Sequence, residues 1–204
     1  MANPPHANHP VFTVGHSNHS IEHFLNLLQS HSIEVLVDVR SYPYSNYSPH
    51  FDREKLKDIL SQNNSKYLDL GRELGGRPEG DEFYDSKGHV FYDKLAATTE
   101  FQSGLSRLEK GAAQFRVAIL CSEENPAICH RALLVGKVLS TRGVRVEHIR
   151  GDGRVESDEQ VFASKNVEHA QSVLFADAKP SSWKSIPSVS RKNRRTSSSA
   201  ECGL

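Results

Sequence analysis

The chain has 204 residues, 37% of them hydrophobic and 25% charged, which suits one globular core with a tail. Its 25 basic and 25 acidic side chains give a formal net charge of +0, so a global electrostatic drive toward nucleic acid or an anionic membrane is excluded and only a local basic pocket remains open. Three cysteines do not make a disulfide framework, and no apolar run approaches membrane-spanning length.

The opening MANPPHANHP lacks the apolar stretch of a signal peptide, so the expectation is a cytoplasmic protein of a reducing compartment with no membrane partner. Residues 1–10 read as a flexible N-terminus. VFTVG (11–15) is a short buried-type strand, and Ser20 caps a helix that carries Ile21, Phe24, Leu25 and Leu28 on one face. VLVDV (35–39) is a second strand, followed by Arg40 and the irregular SYPYSNYSPH. Asp52 caps a helix with Leu56, Ile59 and Leu60 inward, and KYLDLG (66–71) is a third strand. GRELGGRPEGDEFYDSKGHV is a long glycine-rich loop, and one helix is expected over about 92–110. FRVAILC (115–121) is the clearest strand, 130–142 an amphipathic helix, and VRVEHI (144–149) a fifth strand.

Strands separated by helices of this length predict an α/β fold: three layers, a mainly parallel sheet of about five strands flanked by helices, and a disordered C-terminal tail. Residues 11–150 form the single domain. Residues 151–178 are a partly helical extension with a helix over 157–176, and 179–204 are a disordered basic, Ser-rich tail.

In such a sheet the loops after the strands share one edge, where ligands bind. The first four carry HSN, RSYPYS, GRELGGR and SEENPAICHR. They gather His16, Ser17, Asn18, Arg40, Arg72, Arg77, Cys129, His130 and Arg131. The helix start after Pro126 favours an anion or a thiolate on Cys129. Cys121, at the end of a buried strand, is expected to pack. Arg131 either binds ligand or pairs with Glu123 or Glu124. Asp38 either orients Arg40 or is a buried acceptor. Gly75 and Gly76 let backbone approach a ligand or only make a turn. Tyr42, Tyr44 and Tyr47 stack on a base or pack their own loop.

A Cys/His metal site of Cys121, Cys129, His130 and His16 has no zinc-finger spacing and no C-x-x-C, so no cofactor is firmly implied, with zinc or iron the candidates. There is no Walker A lysine motif and no G-x-G-x-x-G after the first strand.

TVGHSNHSIEHFLNLL, VLVDVRSYPYSNYSPHFDREKL, KYLDLGRELGGR and VAILCSEENPAICHRALLV, in this order over roughly residues 12–150, resemble the domain of unknown function 488 family. The family's recurring motifs fall on Gly15, His16 and Ser17; on Asp38, Val39 and Arg40; on Leu74, Gly75, Gly76 and Arg77; and on Cys129, His130 and Arg131. The resemblance implies an α/β fold with a shared polar site and supplies no reaction.

The favoured expectation is an enzyme, a hydrolase or transferase with Cys/His chemistry, acting on a phosphate-bearing small molecule, nucleotide or nucleic-acid end. Arg40, Arg77 and Arg131 would hold the anion, with Ser17, Asn18, Asp38, Gly75 and Gly76 around it. His130 or His16 would move protons, and Cys129 would attack or line the pocket. Two rivals stand beside it. One is a binding module for an anion or nucleic acid, motivated by the basic run RKNRR (191–195), which equally reads as a nuclear signal or a solvated tail. The other is a metal-dependent oxidoreductase.

Overall fold

Parity along each strand decides which helical layer its side chains meet. In β1 (Val11–Gly15), Phe12 and Val14 join one core, while Val11 faces the opposite one. The same alternation divides β2 (Val35–Asp38), with Leu36 on one side and Val35 and Val37 on the other. It divides β4 (Val117–Cys121) between Ala118 and Leu120 and the pair Val117 and Ile119. These strands are therefore buried on both faces, which is why their sequences are continuously apolar. The computed structural model describes residues 10–163 and 183–187.

The sheet has six strands in the order β3-β2-β4-β1-β5-β6, with β3 at Lys66–Asp69, β5 at Val146–Ile149 and β6 at Val155–Ser157. The first five are parallel, and β6 runs antiparallel to β5. Helices α1 (Ile21–Ser30) and α2 (Arg53–Gln62) cover one face through Phe24, Leu28, Leu56 and Leu60. The other face carries α4 (Tyr92–Ala96), α5 (Thr99–Ala112) and, after a π-helix over Arg131–Gly136, α6 (Lys137–Thr141). Between β3 and α4 lies the short α3 (Gly71–Leu74). The three-layer, mainly parallel architecture expected from the sequence is the one found.

Several elements differ from expectation. The helix expected over 92–110 is two, because Thr98 leaves helical geometry and its side chain caps α5 at the Phe101 N–H. The loop after β3 contains α3 and a 3-10 turn at Asp81–Phe83. Pro126 opens a 3-10 turn, Pro126–Ile128, rather than the helix itself. The polar GDGRVES folds back as a hairpin, with Gly153 at a φ of 86° in its turn, and adds the sixth strand. Of the helix expected over 157–176, residues 158–163 are helical, and the remainder lies outside the described residues. Most of the expected disordered tail, RKNRR included, also lies outside them. Trp183–Pro187 does not: Trp183 donates to the Leu133 carbonyl at 3.0 Å, accepts from the Tyr92 N–H at 2.9 Å and packs edge-on against the Tyr92 ring.

Candidate functional site

Strand order places the site. Connections after β1 and β2 leave toward the α1–α2 layer, whereas the connection after β4, which lies between those two strands, leaves toward the opposite layer. The loops part above β4 and open a crevice there. A pocket of about 80 Å³ occupies it. The segment after β2 lines it with Arg40, Ser41 and Tyr42, and the segment after α3 with Gly76 and Arg77. From the end of β4 onward, Cys121, Ser122, Glu123 and His130 complete the wall. A wider groove of about 700 Å³ adjoins it and shares Arg40, Ser41, Tyr42 and Arg77.

Arg40 is held rigidly. Its Nε donates to both Asp38 carboxylate oxygens at 2.9 and 3.1 Å, and Nη2 donates to Asp38 Oδ2 at 2.6 Å and to the Phe51 carbonyl at 2.8 Å. Nη1 has no partner among the described residues. Asp38 is fully buried and also accepts from the Tyr67 hydroxyl at 2.7 Å. It thus acts as both the orienter and the buried acceptor that the sequence left as alternatives. Burial works against the Arg40 charge, but the Asp38 carboxylate overcomes it and holds the guanidinium more firmly protonated than usual.

His130 is 4% exposed and donates from Nε2 to the Val39 carbonyl at 3.0 Å, which fixes the proton on Nε2 and leaves Nδ1 bare. Nδ1 lies 3.6 Å from Cys121 Sγ and 4.0 Å from Cys129 Sγ. Cys121 hydrogen-bonds to Cys129, and the two thiols are shifted in opposite directions. Burial opposes a Cys129 thiolate, yet the hydrogen bond from Cys121 and the Arg131 charge prevail and hold Cys129 well below the ordinary thiol range. That same hydrogen bond, with burial, pushes Cys121 up.

Arg131 is fully buried. Its Nη groups donate to the Glu123 and Glu124 backbone carbonyls, and Nε donates to Thr13 Oγ1 at 3.2 Å. The pairing with Glu123 or Glu124 weighed from the sequence exists, but through backbone rather than carboxylate. The Glu124 carboxylate binds Arg150, at 2.8 and 3.1 Å. The Glu123 carboxyl has no partner among the described residues, and burial followed by the Cys129 charge raises its pKa. Arg131 therefore shapes the loop and brings its charge close to Cys129, and each of its three nitrogens already donates a hydrogen bond.

Close backbone approach explains the glycines. A side chain at Gly15 would collide with the Glu123 carbonyl that Arg131 holds, and one at Gly75 with Ser41 Oγ. Ser41 Oγ in turn accepts from the Arg77 N–H at 3.0 Å.

Of the residues singled out from the sequence, Arg40, Gly76, Arg77 and His130 line the pocket, and Gly75 lines the adjoining groove. Cys129 lies behind the wall at 0% exposure, and Arg131 lies beneath the loop. His16 is buried, stacked on Phe51 at 4.5 Å, and donates from Nδ1 to the Ser17 carbonyl at 2.9 Å. Its Nε2 has no partner among the described residues. Ser17 and Asn18 are not among the lining residues and hydrogen-bond each other at 3.3 Å. Arg72 also lines the adjoining groove, where its exposed guanidinium pairs with Glu100 at 2.7 Å. Cys121, expected only to pack, is the thiol on the pocket wall. Ser41, Ser122 and Glu123 were not singled out as site residues. The signal for Cys121 was its place as the last residue of β4, where a buried strand meets the crevice.

A family model described as Domain of unknown function DUF488 matches residues 20–138. No curated protein and no solved structure matches the chain. No helix among the described residues is long and apolar enough to cross a membrane.

Proposed function

This chain belongs to the DUF488 family, whose description names no reaction, and we propose from its own site that it is an enzyme acting on a phosphate-bearing small molecule or nucleotide. The observation that carries this reading is the Arg40 guanidinium. It is fixed on Asp38 and Phe51, with Nη1 unpartnered among the described residues, at the wall that also holds Arg77 and His130. An immobilised guanidinium loses little freedom on receiving an oxyanion, and its geometry suits phosphate. The same wall carries the Cys121 thiol, the His130 imidazole and the Glu123 carboxyl within a space that takes a small anion, which is the equipment of acid–base or nucleophilic chemistry. Tyr42 lines both the pocket and the groove and exposes 51% of its surface, so it adds an aromatic edge to the wall beside Arg40.

The test is a thermal-shift and turnover screen with inorganic phosphate, nucleotides and sugar phosphates. Wild type is expected to be stabilised by one phosphate class, with the effect lost in Arg77→Gln. His130→Gln is expected to keep phosphate binding and lose turnover. Absence of a shift with every phosphate compound would sink the anion reading, and unchanged turnover in His130→Gln would sink the catalytic one.

A further inference from the structure

Cys121 Sγ, Cys129 Sγ and a ring nitrogen of His130 all lie within 4.8 Å of one another, on side chains at most 6% exposed. The Val39 carbonyl accepts a hydrogen bond from His130 Nε2–H at 3.0 Å and so turns Nδ1 toward the sulfurs. A carbonyl behind the ring is the kind of support that orients a metal-binding histidine. Nδ1 then faces two sulfurs, Cys121 Sγ at 3.6 Å and Cys129 Sγ at 4.0 Å. A tetrahedral ion bonded at about 2.3 Å to sulfur and about 2.0–2.1 Å to nitrogen places those atoms about 3.6 Å apart. The Cys121–His130 distance of 3.6 Å matches that figure before any ion is added, and the Cys129–His130 distance of 4.0 Å lies slightly beyond it.

We propose that Cys121, Cys129 and His130 are the three protein ligands of a zinc ion whose fourth position opens into the pocket above β4. Two thiolates and an imidazole are a soft, tetrahedral donor set that selects zinc over magnesium or calcium. Among the described residues no fourth histidine, cysteine or carboxylate joins the group. Cys129 is sealed at 0% exposure, whereas Cys121 and His130 both line the pocket, so the remaining position lies on the pocket side. Three protein ligands with one open position is the pattern of a catalytic zinc, and structural zinc has four. This goes beyond the anion reading: the ion adds a coordination site for water, or for an oxygen of the ligand, on the wall that carries Arg40 and Arg77.

The test uses the full chain, purified under reducing conditions. Elemental analysis is expected to give one zinc per chain. The metal-stripped protein titrated with cobalt(II) is expected to reach its endpoint at one equivalent, with thiolate-to-cobalt charge-transfer bands and tetrahedral visible bands. Cys121→Ser and Cys129→Ser lose the thiolate bands in proportion, and Cys202→Ser keeps them. Arg77→Gln keeps the cobalt spectrum while losing phosphate stabilisation, so the metal site and the anion site fail separately. Where a cysteine variant does not fold, thiol counting on wild type replaces it: two thiols are expected to resist a disulfide reagent until a chelator is added. Substoichiometric metal, bands that survive loss of both cysteines, or thiol reactivity indifferent to chelator would each overturn the proposal.

Discussion

The imidazole of His130 lies directly against Gly76: a Cβ there would stand 2.6 Å from the ring Cγ and 2.8 Å from the His130 Cβ. The ring is pinned on its other edge by the Val39 carbonyl, so neither partner has room to retreat. Gly76→Ala is therefore expected to cost about 1–3 kcal/mol as an overpacked contact. Because the contact is the pocket wall, phosphate affinity should fall by more than the stability change predicts. Urea unfolding and phosphate titration of the same variant check this, and a variant with wild-type stability and affinity would show that the loop yields freely.

Asp38 and Arg40 form a buried pair whose members are 0% and 3% exposed at their side chains. Asp38→Asn leaves the guanidinium without its counter-charge and is expected to cost about 3–5 kcal/mol. Arg40 should also lose its fixed orientation, so phosphate binding weakens even at temperatures where the variant is folded. Denaturant midpoints and calorimetric titration separate the two effects.

His16 supplies a pH dependence whose sign is set by burial. Burial first, then the Arg40 charge, depresses its pKa from the usual 6.5 to about 4. The unfolded chain therefore takes up this proton at a higher pH than the folded one. Its contribution to stability is fully present above pH 6.5 and is lost as the pH falls toward 4, by about 3 kcal/mol in all. His16→Phe retains a ring to stack on Phe51 and removes the titration. The difference between variant and wild type in unfolding free energy should change across that window and stay flat above it.

Trp183 is the only tryptophan of the chain. It sits half-buried on Tyr92, with Lys137 Nζ 4.5 Å from its ring centroid. Trp183→Ala is expected to cost about 2 kcal/mol, less than the 3–5 kcal/mol of a fully buried tryptophan. Turnover should be unaffected. Wild-type emission should shift to longer wavelength on unfolding in step with circular dichroism, and an earlier shift would mean that this segment releases independently.

The fold was legible where burial on both faces forces unbroken apolar runs, as in VFTVG, VLVDV and VAILC. It was obscure where a contact distant in sequence supplies the reason. VES becomes a strand only because β5 presents an open edge, and Trp183 docks only because Tyr92 and the Leu133 carbonyl await it. At the site, the clustering of Arg40, Arg77 and His130 followed from strand-end logic. The division of labour among neighbours did not. Cys121 and Cys129 differ in which of them touches the pocket, and Arg40 and Arg131 in how many donors are already committed. Both differences depend on backbone positions contributed by other loops, on Val39 for His130 and on Glu123 and Glu124 for Arg131.

The sheet order also bears on synthesis. β1 pairs only with β4 and β5, and β2 is separated from β1 by β4. A nascent chain that has emerged through α5 can join β2 to β3, but its first strand has no neighbour and the place between β1 and β2 is vacant. Both edges of that gap carry unpaired backbone groups beside strongly apolar side chains. Folding then waits for Val117–Cys121 to leave the ribosome, and a chain stalled or truncated before this strand would be a client for chaperones or proteases rather than half a working protein.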